Sequence, residues 1–144
     1  MQNEKIKVLF VCVRNSFRSQ MAEAILNHKY GGRFIAESAG LNKTNINPLA
    51  ILAMKDYGLD IAGNSVDDVS DFFKEGRTYS YVITVCDRDA EKDCPLFPGV
   101  QQRINWRFED PEAFTGTHEE KLRKAIDLRN QIEKKIDEFV DIIG

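Results

Sequence analysis

The sequence predicts an α/β fold in which a four-stranded parallel sheet lies between two layers of helices, as a three-layer sandwich. Apolar runs of strand length alternate with segments of helical periodicity, and this alternation favours parallel strands joined by right-handed crossovers. The longest runs are almost continuously hydrophobic, as in strands that helices cover on both faces. A chain of 144 residues suffices for one core, so we expect a single domain over residues 1–144.

Four segments are predicted to be strands. They are KIKVLFVC (5–12), FIAESAG (34–40), YSYVITVC (79–86) and the weaker QQRINW (101–106). The first and third of these end on a cysteine, Cys12 and Cys86. Because sites in parallel sheets lie at the carboxyl ends of the strands, we expect both thiols to open onto the same edge.

Helices are predicted between and after these strands. They cover 18–30, 47–58, a short stretch within 67–76, and the C-terminal segment that follows residue 117. For the second helix, Asn47 suits the N-cap, Pro48 the first turn and Gly58 the C-terminal stop. The last helix opens on a capping box from Thr117 to Glu120 and carries an apolar face.

Composition narrows the class of protein. The 20 basic and 23 acidic side chains give a net charge of −3, so we expect no nucleic-acid partner and no membrane partner. The first residues, MQNEKIKVLF, indicate neither a signal peptide nor a membrane span. Three cysteines without an export signal indicate reduced thiols in a cytoplasmic protein, which we expect to be a monomer. A disulfide here would be transient and catalytic.

The segment VLFVCVRNSFRSQMAEA (8–24) carries the strongest functional signal. A turn of backbone N–H groups that runs into a helix N-terminus forms a concave anion site. Asn15, Ser16 and Ser19 suit such a turn, and Arg18 can clamp a tetrahedral oxyanion with two hydrogen bonds. The same positive environment favours a thiolate at Cys12. The alternative is that Cys12 is only a small buried side chain and Arg18 only a surface charge. The strand that precedes this segment and the helix that follows it favour the anion-binding site.

This segment resembles the phosphate-binding loop of the low-molecular-weight protein tyrosine phosphatase superfamily. The resemblance implies Cys12 as nucleophile and Arg18 as oxyanion clamp, and it extends over nearly the whole chain, including AESAG and NPLAILAMKDYGLDI. It also implies that Asp110, in FEDPEAF, is the general acid that protonates the leaving oxygen. The implied substrate-binding residues are Val13, Arg14, Asn15, Ser16, Phe17, Arg18 and Ser19.

Two activities of this superfamily are possible for the chain, and its two other cysteines distinguish between them. A phosphatase hydrolyses phosphomonoesters through a phosphocysteine and needs one cysteine, whereas this chain adds Cys86 and Cys94 in CDRDAEKDCP. That pattern resembles thioredoxin-coupled arsenate reductases. The resemblance implies that Cys12 attacks arsenate, that Cys86 then attacks Cys12 and releases arsenite, and that Cys94 attacks Cys86. Thioredoxin would reduce the resulting Cys86–Cys94 disulfide.

Further residues look reductase-like, and some features leave alternatives open. Gln20 in RSQMAE, Trp106 in NWRFEDP and Ala113 agree with the reductases. The interval between Cys86 and Cys94 is one residue longer than in the thioredoxin-coupled form, so glutaredoxin with glutathione stays open as the reductant. Arg14 either recruits an oxyanion or points to solvent. The alternative to an enzyme is a redox or phosphate-sensing module that uses the loop only for binding. Asp110 would have no role in such a module.

A potassium ion beside the loop is the one metal that the resemblance implies. The matching positions are Asn15, Glu23, Ser38 and Asp67, whose oxygen atoms suit a hard cation. A capping network without metal is the alternative. The spacing of Cys86 and Cys94 does not suit structural zinc.

Overall fold

The computed structural model describes residues 5–85 and 94–143, and its elements follow the predicted order. They are β1 Ile6–Cys12, α1 Arg18–Tyr30, β2 Phe34–Gly40, α2 Pro48–Asp56, α3 Val69–Lys74, β3 Tyr81–Thr84, β4 Gln102–Asn105, a 3-10 turn Pro111–Ala113 and α4 His118–Ile143. Cys86, the predicted end of the third strand, lies outside the described residues.

The four strands form one parallel sheet in the order β2-β1-β3-β4, which confirms the predicted fold class. Strand β1 lies between β2 and β3, so it is buried from both sides. Its last residue, Cys12, is in register with Gly40 at the end of β2. The carboxyl ends of the strands therefore bring the loop after β1 beside the loop after β2.

Alternate residues of β1 face two separate apolar clusters, as the period of a strand requires. Val8 and Phe10 belong to the larger cluster, which also contains side chains of α1, α2 and α4. Leu9 and Val11 belong to the smaller one, which lies on the other face with side chains of α3 and of residues 94–97. Helices cover both faces, and this explains why β1 is apolar at every position from Val8 to Cys12.

The helix ends carry the capping that the sequence predicted. Asn47 Oδ1 accepts from Leu49 N at 2.9 Å at the start of α2, and Gly58 follows that helix with a φ of 95°. At the start of α4, Thr117 Oγ1 accepts from Glu120 N at 3.1 Å, and Thr117 N donates to Glu120 Oε1 at 2.9 Å. Among residues 5–85 and 94–143, no helix has both the length and the apolar character to cross a membrane.

Candidate active site

A cavity of about 240 Å³ opens at the carboxyl edge of the sheet. It brings three of the predicted catalytic residues together: Cys12 and Arg18, near the start of the chain, and Asp110, about a hundred residues later. The cavity is lined by Cys12, Val13, Arg14, Ser16, Phe17, Arg18, Asn47, Asp110, Pro111 and Glu112. Asn15 and Ser19, which the sequence also predicted, are fully buried behind this wall.

The backbone of the loop faces the cavity with its N–H groups. Its carbonyl oxygens are taken by the 41–47 segment: Leu41 N donates to Cys12 O (3.0 Å), Asn42 N to Val13 O (2.7 Å), Thr44 N to Arg14 O (3.0 Å) and Asn47 N to Ser16 O (2.9 Å). A trans peptide points its C=O and the next N–H in opposite directions, so the following N–H groups point to the other side. Successive N–H groups on one side form an anion-binding concavity.

Two donors converge on the sulfur of Cys12. The backbone N–H of Asn15 lies 3.3 Å from Sγ, and the hydroxyl of Ser19 lies 3.0 Å from it. Because Ser19 Oγ accepts from Asn15 Nδ2 at 2.8 Å, its own hydrogen is available to the sulfur. Asn15 has a φ of 54°, a left-handed conformation that asparagine adopts more readily than most residues. The polar residues of this loop thus hold the sulfur in place.

Gln20 fixes the turn of this loop, a role that the sequence analysis missed. Its side-chain Nε2 donates to Asn15 O at 3.2 Å and to Ser65 O at 2.9 Å. Asn15 Oδ1 also accepts from the backbone N of Asp67 at 3.0 Å. Gln20 and Asn15 are therefore two buried links between the Cys12 loop and the 64–67 segment. Gln20 is buried in the first turn of α1 beside the polar Arg18 and Ser19, and no apolar periodicity in the sequence marks this position.

Gly40 is the second residue that the sequence analysis missed. A Cβ at this position would lie 2.8 Å from Arg14 C and Asn15 N, closer than real Cβ contacts come. Only glycine lets the end of β2 pass this close to the backbone of the loop. The role of Gly40 could have been predicted from its position, because it is a glycine that ends the parallel strand next to β1.

Arg18 and Asp110 are neighbours in the wall of the cavity. Arg18 is buried, and its Nη1 donates to Phe108 O at 3.2 Å while Nη2 lies 3.8 Å from Asp110 Oδ1. Asp110 caps the 3-10 turn by accepting from Glu112 N at 3.0 Å. The guanidinium is thus positioned by the segment that carries the carboxylate.

Arg14 does not simply point to solvent. It forms an ion pair with Glu112, and both side chains line the cavity. The neighbouring Phe17 packs edge to face on Phe114, with ring centroids 6.4 Å apart. The loop after β1 and the turn that contains Asp110 are therefore joined by one polar and one aromatic contact.

The remaining predicted thiols lie elsewhere. Cys94 is 5% exposed and belongs to the smaller apolar cluster with Val11, Phe72 and Phe97, so it does not line the cavity. Cys86, the predicted first resolving thiol, lies outside the described residues. The structure does not bring Cys94 to the Cys12 site in this state.

The candidate potassium ligands lie beside the loop. Ser38 Oγ donates to Glu23 Oε1 at 2.6 Å, and Asp67 Oδ2 accepts from Ser65 Oγ at 2.7 Å. Burial raises the pKa of Glu23 to about 6 against the hydrogen bond from Ser38, and the carboxylates of Glu37 and Asp67 raise it further. Across the described parts of the chain, no group of three or more His, Cys, Asp or Glu side chains is arranged to hold a metal ion.

Together, the fold and this site define a class of α/β proteins in which a strand–loop–helix cradle presents a cysteine to a tetrahedral oxyanion. Residues 7–143 match the family of low molecular weight phosphotyrosine protein phosphatases, and the chain belongs to that family. The resemblance inferred from the Cys12 loop is therefore confirmed.

The relatives that this chain resembles include proteins named as arsenate reductases. The arsenate reductase of Halalkalibacterium halodurans is 34% identical over 139 residues, which are 96% of this chain and 97% of that protein. A structure described as an arsenate reductase in the phosphate binding state has a TM-score of 0.78 and 30% identity, and the match covers 96% of this chain and 99% of the other. The thioredoxin-dependent arsenate reductase of Corynebacterium glutamicum has a TM-score of 0.64 and 27% identity, over 95% of this chain and 64% of that one.

Proposed function

We propose that this protein is an arsenate reductase that converts arsenate to arsenite through a cascade of its own three thiols. One observation carries the proposal: the chain matches an arsenate reductase over 96% of its length and has two cysteines beyond the one in the cavity. A phosphatase of this family needs only Cys12. Reduced thiols also imply that the protein works in the cytoplasm.

In the first step, the sulfur of Cys12 attacks arsenic and an As–O bond breaks. The N–H groups of the loop and the guanidinium of Arg18 hold the arsenate oxygens. Asp110 gives a proton to the departing oxygen, which leaves as water. Asp110 lines the same cavity as Cys12 and Arg18, and this position supports the role. The product is an arsenic(V) adduct on Cys12.

In the second step, the thiolate of Cys86 attacks the sulfur of Cys12. An S–S bond forms, the S–As bond breaks, and its electron pair stays on arsenic, so arsenic(V) becomes arsenic(III) and leaves as arsenite. Cys94 then attacks Cys86 and releases Cys12 as a thiolate, which leaves a Cys86–Cys94 disulfide. An external dithiol reduces that disulfide and regenerates both thiols.

We propose thioredoxin as the external dithiol, since the Corynebacterium glutamicum neighbour is described as thioredoxin-dependent. Glutaredoxin with glutathione is the alternative that the longer interval between Cys86 and Cys94 leaves open. The disulfide must reach the reductant, and Cys94 is buried beneath α3. A change in the 94–97 segment therefore has to precede reduction.

A potassium ion held by Asn15, Glu23, Ser38 and Asp67 remains part of the proposal. Its charge would offset the burial of Glu23 and the neighbouring carboxylates of Glu37 and Asp67, which together raise the pKa of Glu23. The fit can be tested by comparing the unfolding temperature in potassium chloride and in tetramethylammonium chloride at one ionic strength. A potassium-dependent increase that Glu23→Gln removes supports the site, and equal temperatures in both salts contradict it.

The deciding experiment is an arsenate assay coupled to thioredoxin, its reductase and NADPH, run beside hydrolysis of an aryl phosphate. We expect NADPH oxidation that depends on arsenate. The second candidate, a phosphatase, is favoured by the complete set of Cys12, Arg18 and Asp110 in one cavity. Fast aryl phosphate turnover with no arsenate dependence under either reductant would establish that alternative.

Asp110→Ala separates both enzymes from a module that only binds an anion. We expect turnover to fall by about a hundredfold or more, the scale of general acid catalysis. Inorganic phosphate binding, measured by calorimetry, serves as the companion readout. Unchanged turnover in Asp110→Ala would remove the acid from the mechanism.

A further inference from the structure

An ion pair crosses the mouth of the cavity between two segments that are far apart in sequence. Arg14 Nη1 donates to Glu112 Oε1, and the side chains are 44% and 55% exposed. Arg14 lies in the loop after β1, and Glu112 lies in the turn two residues beyond Asp110. The pair therefore ties the segment of the nucleophile to the segment of the acid.

A buried contact joins the same two segments. Phe17 and Phe114 meet edge to face and are 3% and 7% exposed. Both members of the ion pair line the cavity, whereas Phe114 does not. The aromatic contact thus holds the segments together from inside, and the ion pair is placed where ligands enter. An exposed pair is also screened by salt, and a buried aromatic contact is not.

We infer that the Arg14–Glu112 pair determines specificity: it favours small tetrahedral oxyanions over phosphomonoesters with bulky organic groups. An inorganic oxyanion fits wholly between Cys12 and the loop N–H groups. A phosphomonoester has to lead its organic group out through the mouth, where the pair holds two long side chains together. The pair also neutralises Glu112, so this carboxylate does not repel an entering anion. The inference rests on the proposed function and deepens it, since arsenate is such an oxyanion.

The test compares hydrolysis of a large and a small phosphate compound by the wild type and by Glu112→Ala. The measured quantity is kcat/KM for 1-naphthyl phosphate divided by kcat/KM for acetyl phosphate. We expect this ratio to rise about fivefold in Glu112→Ala, because an exposed pair contributes up to about 1 kcal/mol. Since both reactions use Cys12 as nucleophile and Arg18 as oxyanion clamp, a loss of activity at those residues cancels in the ratio. A ratio that stays at the wild-type value overturns the inference.

A matched control is available elsewhere on the surface. Glu75 is 53% exposed in its side chain and pairs with Arg77 at 2.9 Å, outside the residues that line the cavity. Glu75→Ala removes a comparable exposed ion pair and a carboxylate, so its ratio should equal that of the wild type. An equal rise in Glu75→Ala and Glu112→Ala would show a general charge effect and contradict the inference.

Salt supplies an independent readout that a purely structural role would not move. Raising sodium chloride from about 0.05 M to about 0.5 M should increase the ratio in the wild type, because screening weakens the pair. The ratio should stay constant in Glu112→Ala. Both substrates are anionic phosphates, so general screening of anion binding largely cancels. The same salt response in both proteins overturns the inference.

This test is separable from that of the proposed function. Neither substrate needs arsenate, thioredoxin or NADPH. A protein that fails the coupled arsenate assay but shows the predicted ratios would lose the reductase assignment and keep the specificity role of the pair. The opposite result would keep the reductase and remove the pair from specificity.

Discussion

The surroundings of Cys12 and of Cys94 differ in kind, although both side chains are almost inaccessible, at 2% and 5% exposed. Cys12 ends β1 at an open cavity and has polar donors at 3.0 and 3.3 Å. Cys94 packs on the other face of the sheet among apolar and aromatic side chains. The exposed fraction of the side chain therefore does not distinguish the proposed nucleophile Cys12 from Cys94. The groups around each sulfur distinguish them.

This difference gives the two thiols different tasks in the proposed cascade. The sulfur of Cys12 can react where it lies, because the loop, Arg18 and Asp110 already surround the cavity. Cys94 packs against Phe97 and its neighbours, so moving this thiol out of the cluster costs apolar packing. The first step of the proposed cascade therefore needs no rearrangement at the Cys94 site.

The largest effect is expected at the Cys12 site itself. Cys12→Ser should lower both arsenate reduction and aryl phosphate hydrolysis by more than about a thousandfold, because a serine hydroxyl is not ionised at neutral pH. Arg18→Lys should also be severely impaired, since an ammonium does not reproduce the planar two-point clamp. Steady-state kinetics of both variants measure this. Near-normal rates for Arg18→Lys would assign oxyanion binding to the backbone.

The next effect separates the two thiols directly. Cys94→Ser should release about one arsenite per enzyme and then stop with a Cys12–Cys86 disulfide, because no thiol remains to pass the oxidation on. Cys86→Ser should form no intramolecular disulfide after arsenate. Peptide mapping after a single turnover distinguishes the two variants, and both should still hydrolyse an aryl phosphate slowly. Repeated turnover by Cys94→Ser with thioredoxin would show that Cys94 is dispensable.

A smaller effect is expected from the backbone beside the loop. Gly40→Ala should lower kcat about a hundredfold, since its Cβ would press on the backbone at Arg14 and Asn15 and displace the loop by a fraction of an ångström or more. Gly63→Ala is the matched control, because a Cβ there meets no atom within 4 Å. Equal activity of the two variants, measured with an aryl phosphate, would show that the loop tolerates the shift.

The smallest effect on catalysis at Cys12 is expected from the side chains that cover Cys94, where the change falls on stability. Phe97 packs against Phe73 and Tyr79 with ring centroids 5.7 and 5.2 Å apart. Phe97→Ala should lower the free energy of unfolding by about 3 kcal/mol and speed alkylation of Cys94, measured by mass spectrometry. Leu96→Ala, at a side chain 73% exposed, is the control and should change neither. Unchanged alkylation in Phe97→Ala would mean that another part of the cluster covers the thiol.

Much of the candidate site could be predicted because its signals are local. The apolar run of β1, the polar turn and the helix start of α1 are contiguous, so the sequence shows where Cys12 and Arg18 lie. Gln20 was noticed only as a point of family resemblance, because its contact with Ser65 spans 45 residues and follows no periodicity. The pairing of Arg14 with Glu112 joins residues 98 positions apart, so no local sequence pattern predicts it.

The sequence by itself determined the alternation of strands and helices, the capping of α2 and α4, and the position of the thiol and arginine around one turn. These follow from propensity, periodicity and capping, which act between residues close along the chain. Only the tertiary structure decided the order β2-β1-β3-β4, the close passage of Gly40, the ion pair at the mouth and the burial of Cys94. Those features arise when distant segments are packed together, and packing is set by the shape and charge of surfaces that no single segment contains.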